Sequence, residues 1–93
     1  MTKVLKSILI AAIIMLPAFV QAAHLNVSIP GFSFSPAALT INSGDTVTWT
    51  NNHVAVTHTV TSDSGLWNSG NLTFGQTYTR VFDSVGTFGY HCF

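Results

Sequence analysis

Apolar and polar residues alternate with a period of two through much of the chain after Ala23. Leu25, Val27 and Ile29 are separated by Asn26 and Ser28, and Val47 and Trp49 are set between Thr46, Thr48 and Thr50. Successive side chains of an extended strand point to opposite faces, so this spacing predicts strands with one face buried. Threonine, valine and aromatic residues fill the runs, and glycine, proline and asparagine interrupt them, as suits short strands on a pleated surface. The predicted strands are Leu25–Ile29, Phe32–Phe34, Ala38–Ile41, Thr46–Asn51, His58–Thr61, Gln76–Phe82 and Thr87–Cys92. Asn42-Ser43-Gly44-Asp45 and Ser84-Val85-Gly86 are turns. The less regular Ser62–Gly75 is a loop-rich crossing segment, expected to be pinned to the core by Leu66, Trp67, Leu72 and Phe74. Seven short strands predict an all-β sandwich or barrel.

Met1–Ala22 breaks this pattern. Lys3 and Lys6 lead into an apolar stretch from Ile8 to Leu16, followed by Pro17 and the small-residue ending Val20-Gln21-Ala22, the order of a secretory signal peptide. From Ser7 to Val20 the segment is about fourteen residues, short of the roughly twenty that cross a bilayer as a helix. A lipid anchor needs a cysteine near the cut, and none is there. The expected product starts near Ala23, is exported to the periplasm or another oxidising compartment, has no stable membrane insertion, and forms one domain over residues 23–93.

Composition narrows the function of that domain. The whole chain has 93 residues, 47% apolar and 6% charged, which excludes a disordered tail. After the leader, Arg80 stands against Asp45, Asp63 and Asp83, a net charge of 1 − 3 = −2 with histidines neutral. No basic patch exists to neutralise phosphates, so nucleic acid is not the partner. Cys92 is the sole cysteine, so an exported domain of this size has no internal disulfide to supplement a small core.

Hydrolytic chemistry finds no support. The chain has no Gly-x-Ser-x-Gly turn for a nucleophilic serine and no glutamate, and its aspartates occupy apparent turns where they accept from local backbone amides. The soft ligands His24, His53, His58, His91 and Cys92 remain, and imidazole with thiolate suits copper or zinc. Strand alternation sends Cys92 to the face of Phe88 and Tyr90 and His91 to the other face, making His91 a surface residue. The inward position of Val60 puts His58 on the core side, where a satisfied core histidine is the plainer role. Cutting the leader one residue either side of Ala22 gives two further copper sites, both using His24 with the new amino terminus.

Phe34-Ser35-Pro36, Leu39-Thr40-Ile41, the run Gly44-Asp45-Thr46-Val47-Thr48-Trp49-Thr50-Asn51, His58-Thr59-Val60, and Gly86-Thr87-Phe88-Gly89-Tyr90-His91-Cys92 follow one another in an order that resembles the plastocyanin-type cupredoxins. The resemblance covers nearly all of the exported part. It implies a cupredoxin-like Greek-key β-sandwich and copper, cycling between Cu(I) and Cu(II), as cofactor, with His58 and Cys92 as metal ligands. It also implies a second histidine and a methionine within about a dozen residues of the cysteine. Only Phe93 follows Cys92, and Met1 and Met15 lie in the leader. The expectation is therefore a fragment that ends after the ligand cysteine and lacks the last strand, with a degenerate, metal-free cupredoxin as the alternative. The function implied is one-electron transfer without turnover chemistry, by a monomer making transient contacts with redox partner proteins. A copper-handling or storage protein of the same fold and a metal-free β-sandwich module are the other readings.

Overall fold

The computed structural model describes residues 21–93, so the leader, except for its last two residues, lies outside the described residues. Five strands form: β1 (His24–Ile29), β2 (Asp45–Asn51), β3 (Thr61–Ser62), β4 (Thr77–Phe82) and β5 (Tyr90–His91). β2 lies at the centre of a three-stranded sheet, parallel to β1 and antiparallel to β4, and β3 pairs antiparallel with β5 in a second sheet. All regular structure among the described residues is strand, as the alternation predicts.

The alternation is strictest in β2, where odd-numbered residues are buried and even-numbered ones are half-buried. Register places Val27 beside Trp49 and Tyr78 on Trp49's other side, so the inner face of the sheet is continuous across three strands. Val27, Ile29, Val47, Trp49 and Phe82 from this sheet meet Val60, Trp67 and Leu72 to make the core. Trp49 is its hub, with the rings of Trp67, Tyr78, Phe82 and Tyr90 all within 6.4 Å of it, the Tyr90 ring edge-on. Arg80 lays its guanidinium 4.7 Å from the ring centre of Trp67 and 5.4 Å from that of Phe82, a cation over two π faces.

The turn into β2 is built as its residue types require. Gly44 has φ of 93°, a left-handed conformation that a side chain disfavours. Asp45 accepts from the amide of Asn42 at 2.9 Å within the turn and from that of Ala23 at 2.8 Å across to the foot of β1. Both bonds favour the carboxylate and hold Asp45 below its ordinary pKa, the Ala23 bond most.

The predicted strands His58–Thr61 and Thr87–Cys92 shrink to Thr61–Ser62 and Tyr90–His91, and other local expectations fail for identifiable reasons. Phe32–Phe34 is a bend, punctuated by Pro30, Gly31 and Pro36, that touches β1 by one bridge between Ser28 and Ser35, and Phe32 is 87% exposed. Ala38–Ile41 joins no ladder; Ala38, Leu39 and Thr40 are exposed along the rim of an apolar groove of about 600 Å³. In the crossing segment, Trp67 and Leu72 are buried as anchors, whereas Leu66 and Phe74 are 55% and 57% exposed. Period-two reasoning finds apolar residues, but a strand also needs a neighbour for its backbone groups.

Candidate metal centre

His58 is fixed before its ring is considered. Its amide donates to the carbonyl of Leu72 at 3.0 Å, and the amide of Leu72 donates back to the His58 carbonyl at 2.7 Å. This two-way bridge ties the approach to β3 to the crossing segment and leaves the imidazole on the core side, 4% exposed. Burial disfavours the imidazolium, and repulsion from the neighbouring His53 disfavours it further to a smaller extent, so the pKa of His58 is lowered. The ring stays neutral to lower pH and keeps a lone pair available.

Cys92 follows β5, whose pairing with β3 carries it to the same place. Thr61 lies opposite His91 in the ladder, the amide of Phe93 donates to Thr59 Oγ1 at 2.9 Å, and the amide of Thr59 donates to Cys92 Sγ at 3.2 Å. The result is a sulfur 3.3 Å from Nδ1 of His58, two groups 34 positions apart in the chain. Metal–nitrogen and metal–sulfur bonds of about 2.0 and about 2.3 Å at tetrahedral angles separate two such donors by roughly 3.5 Å. The pair thus has the chemistry and the spacing of two ligands of one soft ion. In number it falls short: no cluster of three metal-binding side chains occurs among the described residues.

The other histidines stand elsewhere. His91 points away from the sulfur and pairs with Asp63 at the surface, as alternation along β5 requires, and Asp63 is therefore partnered by a side chain rather than by a local amide. Nε2 of His24 is 2.6 Å from Thr48 Oγ1 on the outer face of the sheet, while the Ala23 amide is engaged by Asp45. His53 sits behind His58, its Nδ1 3.0 Å from His58 Nε2 and thus at the ring nitrogen that faces away from Cys92. A cleft of about 530 Å³ opens at the pair, walled by Ile29, Phe32, Phe34, Tyr90 and Phe93.

A model of the copper binding proteins of the plastocyanin/azurin family matches residues 21–93. The chain belongs to this family. As a cupredoxin it is 38% identical over 71 residues to the chloroplastic plastocyanin of Tetradesmus obliquus, covering 63% of this chain and 48% of that protein. It is 34% identical over 70 residues to the plastocyanin of Scenedesmus fuscus, covering 63% of this chain and 70% of that one. The chain thus spans about half the length of the first relative and about two thirds of the second. Among solved structures it is similar to a novel purple cupredoxin from Nitrosopumilus maritimus, with a TM-score of 0.66 and 33% identity over 73% of this chain and 85% of that one. The fold is a cupredoxin β-sandwich and the cofactor of the family is copper.

Two features of this cupredoxin escape sequence reasoning. Phe88, expected beside the cysteine with Tyr90, instead packs on Trp67 and Phe82 and lines the groove rather than the cleft at Cys92. Asn51, fully buried at the end of β2, donates from Nδ2 to the carbonyls of Val56 and Leu72 at 2.7 Å each, and its Oδ1 accepts from the amide of His53 at 2.8 Å. It fastens both the loop that carries His53 and the strip that holds His58. An asparagine at an inward strand position was the available signal.

Proposed function

We propose that this cupredoxin is a one-electron carrier of an exported compartment, holding copper through His58 Nδ1 and Cys92 Sγ, with its remaining ligands supplied by sequence that follows Phe93. The reading rests on one observation, the approach of an imidazole nitrogen and a thiol sulfur to 3.3 Å from distant parts of the chain. Bound copper supplies the exchange between two oxidation states. The protein's part is positional: the Leu72 bridge fixes the His58 backbone, the Thr59 amide donates to the Cys92 sulfur and offsets charge on it, and Tyr90, Phe32 and Phe34 keep the cleft apolar. The role proposed is transfer rather than turnover, in transient contact with partner proteins.

The leader is read as a signal peptide of residues 1–22, removed before the domain of residues 23–93 acts. Cleavage before Ala23 turns the nitrogen now 2.8 Å from Asp45 Oδ1 into an ammonium group, converting a backbone hydrogen bond into a charge-assisted one.

The test is to read the gene beyond Phe93, express the whole product and load it with copper. We expect one copper per chain and intense visible absorption from the thiolate, both lost in Cys92→Ser and His58→Gly. Retention of the metal by either variant overturns the assignment. The convergence of just two soft donors among the described residues favours copper handling as a second reading, and a colourless site binding Cu(I) alone selects it.

A further inference from the structure

A neutral imidazole carries one N–H, and the hydrogen bond made by one ring nitrogen decides which nitrogen has it. His58 turns Nδ1 toward Cys92 at 3.3 Å and Nε2 toward His53 Nδ1 at 3.0 Å. If Nε2 bears the hydrogen, it donates to His53 and leaves the Nδ1 lone pair facing the sulfur. If Nδ1 bears it, the lone pair faces His53 and the metal side presents an N–H. A single proton position therefore separates a ligand from a non-ligand.

We propose that His53 is a positioning residue that accepts the Nε2 hydrogen of His58 and so holds His58 in the tautomer whose Nδ1 lone pair faces Cys92. The inference rests on the assignment of His58 as a copper ligand. The placement of His53 is built from three sides. Its amide is held by Asn51 Oδ1 at 2.8 Å, its ring lies end to end with that of His58, centroids 5.2 Å apart and planes 23° from parallel, and Phe32 stands edge-on against both rings at 4.8 and 6.0 Å. The same placement denies His53 a ligand's role beside His58, because its nitrogen meets the far edge of the ring. Partners of this kind at metal-binding histidines orient the ring and raise its basicity, and their loss typically lowers metal affinity about 10- to 100-fold.

The experiment uses the whole gene product and three variants. His53→Phe keeps a flat ring against Phe32 and removes the acceptor; His53→Gln restores an acceptor oxygen; His53→Met is a second acceptor-free variant should the phenylalanine not fold. Long-range proton–nitrogen correlation spectra of the metal-free protein read the His58 tautomer, and titration with cuprous ion against a chromophoric chelator reads affinity. Wild type and His53→Gln are expected to show hydrogen on Nε2 alone. His53→Phe or His53→Met is expected to show hydrogen on Nδ1 as well, with affinity lower by roughly 10-fold or more. An unchanged tautomer and an affinity within threefold of wild type in the acceptor-free variants overturns the proposal. Failure of the underlying ligand assignment looks different, since His58→Gly then binds copper as wild type does whatever stands at position 53.

Discussion

Asn51→Ala removes three hydrogen bonds made by a fully buried side chain. The amide of His53 and the carbonyl of Val56 lose the Asn51 side chain as partner, while the Leu72 carbonyl keeps the His58 amide. A buried polar group deprived of its partner costs about 1–3 kcal/mol. Two such groups, both only partly buried, together with the weakened third, put the loss near 3 kcal/mol. Small domains have total stabilities toward the low end of about 5–15 kcal/mol, so this is a large fraction. With a urea slope of about 1 kcal/mol per molar, the unfolding midpoint falls by roughly 2–3 M at unchanged slope. Asn51→Asp sharpens the test, because it keeps an acceptor for the His53 amide but turns an oxygen toward two carbonyls. It should be at least as destabilising as alanine. A midpoint shift below about 0.5 M for alanine, or an aspartate variant close to wild type, would refute the assignment of Asn51 as the fastening of the loop.

Two further outcomes follow from the turn that opens β2. Asp45 is held below its ordinary carboxylate pKa by the amides of Ala23 and Asn42, so the unfolded chain binds the proton first. Its contribution to stability is present above the unfolded value of 3.8 and drains away as pH falls through the folded one; urea midpoints measured from pH 5 downward should drop more steeply in wild type than in Asp45→Asn. Gly44→Ala meets no steric neighbour within 4 Å but must adopt φ of 93°, so a loss of about 1–2 kcal/mol is expected from backbone strain alone, and a variant as stable as wild type in the same titration contradicts it.

The sheet was legible where one face is buried and the partner strand is long. β1, β2 and β4 fall within a residue of their predicted bounds because Val27, Ile29, Val47, Trp49 and Phe82 must share an interior. The crossing segment was legible as irregular, and two of its four expected anchors are buried. What alternation could not supply was pairing. Phe32–Phe34 and Ala38–Ile41 carry suitable residues but have no ladder to join, and the predicted His58–Thr61 strand shrinks to Thr61–Ser62 because single bridges to Leu72 and Asn68 replace continuous pairing. At the candidate metal centre, the resemblance to the plastocyanin-type cupredoxins singled out His58 and Cys92. Their separation, and the place of His53 behind them, depend on contacts between residues far apart in the chain, which no local pattern encodes.

The two donors are joined more closely to each other than to the long sheet. The Phe93 amide bonds to Thr59, the Thr59 amide bonds to the cysteine, and β3 pairs with β5, so a short closed ring of chain carries both. The bonds that set the spacing of the sulfur and the nitrogen therefore lie within this ring rather than in the ladders of the long sheet. Substitutions on the outer faces of β1 and β4 touch none of these bonds.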